Sequence, residues 1–488
     1  MPSEMEMKSV LAASQGSSGG SWIEHWNPED TAFWDRDGKK IAYRNLVFSI
    51  FAEFLAFSVW QMWSAIATHL SDAGYAFTVN QLFWLAALPG LSGATLRVPY
   101  SFAVAKFGGR NWTLVSTLLL LIPALGLGFA LQNPATPYST FLILAFFSGL
   151  GGGNFASSMA NIHYFFPQKL KGTALGLNAG GGNVGVSVVQ FMVPMVIGVA
   201  MLGQWAGGPQ TLMVKGVVKG VASQVAKQVW LQNGAFIWVP LIVLSLTCTA
   251  LFMNNLRVSS APLKEQLPVL KRGHTWAMSW IYIGTFGSFI GYSAGFPLLI
   301  KAEFPGVNPL SYAFLGPLVG SLIRPLGGWM ADLWGGARVT FWNFLVMLLA
   351  VLGVVFFLGQ RQEPYAFEGF FGMFLLLFTC TGVGNGSVYR MIPVIFRKEK
   401  LASLGEPEPE SKAYLGALVS SNKEAAAVLG FVSAIGAYGA FLVPKSYGTS
   451  IALTGGPSAA LLVFAAFYVS CLALTWRKYL GPQAIIHC

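Results

Sequence analysis

Arg97-Val98-Pro99-Tyr100, followed by Phe107-Gly108-Gly109-Arg110, recurs as Arg324-Pro325-Leu326-Gly327 followed by Trp334-Gly335-Gly336 and Arg338. The arginine and the glycine pair both return after 227 positions, close to half of the 488-residue chain. Gly153-Asn154 returns as Gly384-Asn385, and more loosely Phe54, Phe57 and Trp60 return as Phe286, Phe289 and Tyr292. A half-chain duplication carried on long apolar stretches implies two similar helical halves with a site between them. Such halves rock about the site in alternating access. An enzyme or a receptor has no need of this symmetry, whereas a carrier does.

The composition agrees. Hydrophobic residues make up 54% of the chain, charged residues only 10%, and 38 Phe and 16 Trp are present. The mean hydropathy is +0.58. Soluble domains carry about 25% charged residues, so most of this chain must be solvated by lipid. That excludes soluble enzymes, nucleic-acid binders and disulfide scaffolds. Cys248, Cys380, Cys471 and Cys488 form no C-x-x-C pair and no cluster with His, so neither a metal nor a cofactor is expected.

Working outward from the duplicated motif, apolar runs of membrane-crossing length fill the chain from Asn45 on. They read as twelve helices, at 46–70, 82–103, 112–131, 138–164, 172–202, 235–255, 276–300, 309–333, 339–359, 367–395, 414–443 and 455–476. The fold class is an all-α polytopic membrane protein. The expected division is a tail over 1–44, a six-helix bundle over 45–255, a linker over 256–274, a second bundle over 275–476 and a tail over 477–488. The start of the chain is Ser/Gly-rich, with no apolar core after a basic start, so no cleavable signal is expected.

Of the 30 Lys and Arg, only Lys215, Lys219, Lys227, Lys301, Arg361 and Lys445 fall on the side opposite the N-terminus. Arg97, Arg324, Arg390 and Lys423 fall inside spans, and the rest lie on the N-terminal side. The positive-inside rule then makes both termini cytoplasmic. It also accounts for the net charge of +11 without nucleic acid.

Arg97 and Arg324 are the informative charges. Arg97 lies about 12 Å in from the basic loop at Lys106–Arg110, near the midplane of a ~30 Å hydrocarbon layer. Arg324 holds the repeat-equivalent place. A buried Arg costs on the order of 2.5–3.5 kcal/mol on insertion scales, and no carboxylate lies within two turns on either helix at that depth. Two such guanidiniums point to a shared anion, and their planar donor forks suit a planar oxyanion. The blander possibility has each Arg bonding backbone carbonyls or a distant carboxylate.

The glycines give a second signal. Span 5 carries Gly172, Gly176, Gly180, Gly181, Gly182 and Gly185 among Asn178 and Asn183, and span 11 carries Gly430, Gly436 and Gly439. In a membrane such runs permit close helix approach. They serve static packing or sliding equally well. The Asn183 amide would meet a ligand or cap a neighbouring backbone group. Phe155, Tyr282 and Phe286 would by composition alone be packing aromatics.

The stretches Gly153-Asn-Phe-Ala-Ser-Ser-Met-Ala-Asn-Ile162 through Gly176-Leu-Asn-Ala-Gly-Gly-Gly-Asn-Val-Gly185, and Gly430-Phe-Val-Ser-Ala-Ile-Gly-Ala-Tyr-Gly439, resemble the two signatures of the nitrate/nitrite porters. These porters, NarK type, are a branch of the major facilitator superfamily. Leu96–Phe102, Lys264–Gly273 and Thr285–Gly291 are similar to the family too, and the resemblance runs from Trp26 to Trp476. It implies a major facilitator fold of twelve helices in two pseudo-symmetric six-helix bundles. It implies nitrate uptake in exchange for nitrite, or with protons, across a bacterial cytoplasmic membrane by a carrier working as a monomer. By position, the substrate clamp falls on Arg97 and Arg324, the stacking aromatic on Phe155, the amide contact on Asn183 and further contacts on Tyr282 and Phe286. Gly176, Gly180, Gly182, Gly185, Gly436 and Gly439 stand as gating or signature glycines.

Glu53 in span 1, Arg390 in span 10, Lys423-Glu424 in span 11 and His163 in span 4 are charges beyond that pattern. An anion exchanger needs no titratable group in its pathway. A proton-coupled porter does, and Glu53 is the candidate, set against an ion pair at the cytoplasmic gate with Arg390 or Lys423. Two basic side chains at mid-depth would also suit a carrier for another small anion, such as a carboxylate. A membrane sensor would need a sizeable soluble output domain, for which the tail and loops are too short.

Overall fold

The structure is a computed structural model, which describes residues 21–201, 203, 207–218, 221–257, 267–405, 408, 411–484 and 486–488. Among these, twelve helical rods make up the body. They are α1 (Thr31–Leu70), α2 (Val79–Phe107), α3 (Gly109–Ala130), α4 (Tyr138–Phe165), α5 (Gln168–Val196) and α6 (Asn233–Phe252), then α7 (Gly273–Glu303) and α8 (Leu315–Leu322 continued by Arg324–Trp334). The last four are α9 (Gly336–Gly359), α10 (Ala366–Ser403), α11 (Lys412–Thr454) and α12 (Ser458–Leu480). Ten are long and apolar enough to cross a membrane. The two that fall short are α2 and α8, the rods that carry Arg97 and Arg324.

Local chemistry sets the rod ends. The Thr78 hydroxyl and the Gln81 side chain form a reciprocal capping box at the start of α2. Asp30 caps the first turn of α1, and Ser411 caps α11. The duplicated glycine pair is explained by its turns. Gly108 between α2 and α3 and Gly335 between α8 and α9 both have φ of 85°, a backbone region that residues with a Cβ avoid.

Most ends lie within four residues of the sequence-based spans, and five rods depart further. α1 begins well before residue 46, because the Asp30 cap starts a helix through Lys39, Lys40 and Arg44. α5 stops at Val196 rather than 202, and α8 starts at Leu315 rather than 309, after a separate short turn at Pro309–Ser311. α10 runs eight residues past 395, through Arg397, Lys398 and Lys400. α11 continues through Pro444 to Thr454 instead of stopping at 443, so Lys445 is helical rather than in a loop. Proline inside a membrane helix is tolerated where neighbours re-satisfy the backbone.

Two small sheets were not expected. Gln210–Val218 pairs antiparallel with Val221–Val229 in the α5–α6 connection, where recurring β-branched residues were the visible signal. Trp22–Ile23 pairs in parallel with Asn255–Leu256 at the end of α6. The tail before Ser21 and residues 258–266 of the linker, including Lys264 of the family-like stretch, lie outside the described residues.

The duplication reappears in the packing. α1 packs on α5, α2 on α4 and α3 on α6; six rods later α7 packs on α11, α8 on α10 and α9 on α12. Contacts across the halves obey the same symmetry, α2 with α11 and α5 with α8, alongside α1 with α7. Backbones touch where glycines permit it. A Cβ at Gly90 of α2 would fall on the Ala440 backbone of α11, and one at Gly439 of α11 would fall on the Gly287 backbone of α7.

The halves meet tightly at the end opposite the Gly108 and Gly335 turns. There Lys301 of α7 donates to the Thr68 carbonyl at the foot of α1 and to Asp72 Oδ2 at 2.6 Å. Gln190 of α5 donates to the Ser293 carbonyl of α7 at 2.7 Å, and Ser187 to the Phe314 carbonyl at 2.8 Å. Toward the glycine-turn end the pattern inverts. Cβ atoms at Gly172, Gly176, Gly180 and Gly430 would meet nothing within 4 Å. Gly172, Gly176, Gly180 and Asn183 share one helical stripe, so an open groove runs along α5 up to the buried Asn183.

Candidate anion-binding site

The duplicated arginines converge on Phe286 of α7. Arg97 projects from α2, two residues before Pro99, and Arg324 starts the second segment of α8, just after the break at Ile323 and before Pro325. Between them stands α7, which contains a π-helical turn at Ile283–Gly287. Such bulges re-aim side chains and cluster at functional sites. Here the bulge follows Tyr282 and contains Phe286, and the two rings stack at 5.3 Å with 16° between their planes.

Phe286 sits at the centre of the constellation. The Arg97 guanidinium carbon is 5.0 Å from the Phe286 centroid, and that of Arg324 is 5.6 Å from the same ring. Arg97 also lies 4.5 Å from the Phe155 centroid and 5.5 Å from Trp60. Phe155 and Phe286 stack at 6.2 Å. Aromatic faces carry negative charge density, and each cation–π contact is worth about 0.5–2 kcal/mol. The structure thus brings Arg97, Arg324, Phe155, Tyr282 and Phe286 into one cluster.

Arg97 is 1% exposed. Its Nε donates to the Gly152 carbonyl at 3.1 Å, and its Nη1 to the carbonyl and hydroxyl of Ser433 on α11 at 3.0 and 2.7 Å. Part of the blander reading therefore holds, since backbone carbonyls do take Arg97 protons. No carboxylate forms an ion pair with either arginine among the described residues, and Glu53 is the distant carboxylate within electrostatic reach of both. Arg97 Nη2 and Arg324 Nη1 are buried without a hydrogen-bond partner. Each guanidinium keeps an unused N–H on a desolvated nitrogen, which is what an oxyanion needs.

Asn183 is buried on α5 with both amide atoms unpartnered. No hydrogen bond ties it to either arginine among the described residues. The signature glycines divide. Gly182 abuts the Glu53 side chain, Gly185 the Phe54 carbonyl and Gly436 the Tyr282 ring, while Gly439 meets the Gly287 backbone. Gly176 and Gly180 face open space.

Glu53 corrects an expectation. It forms no ion pair with Arg390 or Lys423; Arg390 pairs with Asp332 on α8, and Glu424 pairs with Arg272 at 3.2 Å. Glu53 is instead buried against α5, where Asn178 Nδ2 donates to its Oε2 at 2.8 Å and its Oε1 has no partner. Asn178 also reaches the Ser158 hydroxyl at 2.5 Å, which lies 2.9 Å from that of Ser49. His163 stacks edge-on with Tyr164 at 5.3 Å, away from this cluster.

Several participants carry no distinguishing mark in the sequence. Ser433 lies inside the family-like Gly430–Gly439 stretch, so its motif was visible while its role was not. Tyr389, 5.2 Å from Tyr282, gives no signal beyond being aromatic, and Trp60 only its place in the loose repeat.

Comparison with known proteins places these features in a family. Residues 46–404 match the family described as Major Facilitator Superfamily. The chain is 47% identical over 461 residues to the nitrate/nitrite transporter NarU of Salmonella typhimurium, covering 94% of this chain and 96% of that protein. It is 45% identical to NarU of Escherichia coli, with the same coverages. It is 40% identical to the probable nitrate/nitrite antiporter NarK2 of Thermus thermophilus, over 95% of this chain and 97% of that one. Among solved structures, a D-xylose-proton symporter superposes with a TM-score of 0.60 at 13% identity, over 90% of this chain and 98% of that one. At that identity the likeness concerns the fold alone.

Proposed function

Since the chain belongs to the nitrate/nitrite transporters of the Major Facilitator Superfamily, we propose that it carries nitrate inward across a bacterial cytoplasmic membrane in exchange for nitrite. It is a transporter rather than an enzyme. The observation that carries the reading is the pair of repeat-related arginines around Phe286, each with an unused buried N–H and neither in an ion pair among the described residues.

Residues 45–255 and 275–476 act as the two rocking halves of a monomer, joined by the 256–274 linker. The basic glycine-turn end and both termini face the cytoplasm, a reading supported by the distribution of Lys and Arg. The groove along Gly172, Gly176 and Gly180 is then the cytoplasmic passage, and the Lys301–Asp72 contact closes the outer side. Nitrate bridges the free nitrogens of Arg97 and Arg324 with its plane near Phe155 and Phe286, and Tyr282 and Asn183 complete the enclosure.

Charge explains exchange. The repulsion between two guanidiniums rises as they approach, to about 4 kcal/mol at ~4 Å and an effective ε near 20. A bound monoanion neutralises one charge and lets the arginine-bearing helices approach, so the loaded carrier reorients and the empty one does not.

A second reading, proton-coupled nitrate uptake, is favoured by the unpartnered Oε1 of Glu53, a buried carboxyl within electrostatic reach of both Arg97 and Arg324 but in no ion pair with either. One experiment separates the two. Nitrate uptake is measured in proteoliposomes loaded with nitrite or with an inert anion, each with and without an imposed pH gradient. Exchange requires internal nitrite and ignores the gradient. Uptake into nitrite-free vesicles driven by inward protons would replace exchange by symport. Competition by carboxylates but not by nitrite would overturn the substrate assignment.

A further inference from the structure

We propose that Asn385 on α10 is a third direct donor to the anion and that it discriminates nitrate from nitrite; this rests on the anion-transport reading above. Asn385 is 1% exposed, and neither its Nδ2 nor its Oδ1 has a hydrogen-bond partner. A buried amide left unpaired costs folding free energy, so its retention asks for a partner that arrives with the substrate.

Its neighbours fix its direction. A Cβ at Gly384 would meet Thr285 of α7, and one at Gly386 would meet the Arg324 carbonyl of α8. Asn385 lies about 100° around the helix from each of these contacts, and the stripe it shares with Phe378 and Tyr389 faces α7. Its depth follows from the same helical stripe. Phe378, two turns earlier, meets Phe289 at 6.4 Å, and Tyr389, one turn later, meets Tyr282 at 5.2 Å. Phe286 lies between Tyr282 and Phe289 along α7, so Asn385 stands at its level. The Arg324 guanidinium carbon occupies that level too, 5.6 Å from Phe286 and 5.9 Å from Phe289. The duplication supplies a second sign. The counterpart of Asn385 is Asn154, next to Phe155, and its Oδ1 is likewise buried and unpartnered.

The chemistry then selects. Nitrate presents three oxygens in a plane, nitrite two. Two guanidiniums approaching from α2 and α8 take two oxygens, which leaves the third oxygen of nitrate for a neutral N–H on the α10 side. Nitrite has no oxygen to give it. An amide suits this place because it adds a donor without adding a third positive charge to be neutralised.

The test uses the full-length carrier in proteoliposomes, comparing wild type with Asn385→Leu, which keeps the volume without the amide, and with Asn385→Ala. Initial-rate KM is measured separately for nitrate and for nitrite, normalised to folded protein. The expected result is a rise in the nitrate KM of about tenfold, with the nitrite KM and the maximal rates within about twofold of wild type. An unchanged nitrate KM, or an equal rise for both anions, overturns the proposal. Should a variant insert poorly, thermal stabilisation of the purified protein by nitrate and by nitrite reads the same selectivity without transport. A wild type that moves neither anion would sink the transport reading instead.

Discussion

Arg97 and Arg324 share one aromatic ring: their guanidinium carbons lie 5.0 and 5.6 Å from the centroid of Phe286. Each comes from a different half of the chain, while the ring comes from the π-helical turn of α7. Motion of one half against the other must therefore change at least one of these two contacts. The ring is at once a partial counter-charge for both cations and a gauge of their separation.

Replacing either arginine by lysine keeps the charge and removes the planar fork. Arg97→Lys and Arg324→Lys are each expected to lower nitrate/nitrite exchange at least about tenfold, with insertion into the membrane unchanged. Normal exchange by either variant at equal folded protein would refute the clamp.

The glycines should separate by what faces them. Gly439→Ala drives a methyl into the Gly287 backbone and should destabilise the carrier by about 1–3 kcal/mol, read as a lower melting temperature. Gly176→Ala meets nothing within 4 Å, so its melting temperature should stay at the wild-type value. Its exchange rate should still fall severalfold if α5 packs there in the opposite conformation. A wild-type rate would make that groove wall passive.

Glu53→Gln preserves the hydrogen bond from Asn178 while removing the titratable carboxyl. Under exchange the variant should transport at a rate within about twofold of wild type, with no dependence on an imposed pH gradient. Loss of a proton-driven component present in the wild type would instead assign Glu53 to coupling.

The contact of Lys301 with Asp72 and the Thr68 carbonyl clasps one end of the molecule. Lys301→Ala should raise the labelling rate of a cysteine placed at Gln190, in a background without the four native cysteines, by a membrane-impermeant thiol reagent added outside. A few-fold rise is expected from losing one half-buried ion pair. An unchanged rate would mean that the remaining contacts there, Ser187 with the Phe314 carbonyl and α2 with α11, hold that end without Lys301.

The fold is largely legible in the sequence because its signals are long and repeated. Twelve apolar runs and the 227-residue recurrence of arginine and glycine pair need no tertiary information. Sequence and structure part where a local rule is overridden. Pro444 reads as a helix stop and is carried through by α11, while Arg397, Lys398 and Lys400 read as loop and lie on the helical extension of α10. Within the site, charge in an apolar span singles out Arg97 and Arg324. Ser433 and Asn385 lie in the family-like and repeated stretches, but only packing gives them a place in the site, and Tyr389 is an ordinary membrane aromatic until Tyr282 is seen beside it. The partner of Glu53 is hidden for the same reason, because proximity in three dimensions gives it Asn178 rather than a cation.

The parallel pairing of Trp22–Ile23 with Asn255–Leu256 joins the beginning and the end of the first six rods. Topologically it closes that stretch into a ring, so the two chain strands that leave it depart from a single point. A ring moves as a whole when pulled at its clasp. Whatever displaces this corner, whether a bound protein or a tether on the preceding residues, exerts its torque on all six rods together rather than on α1 or α6 alone.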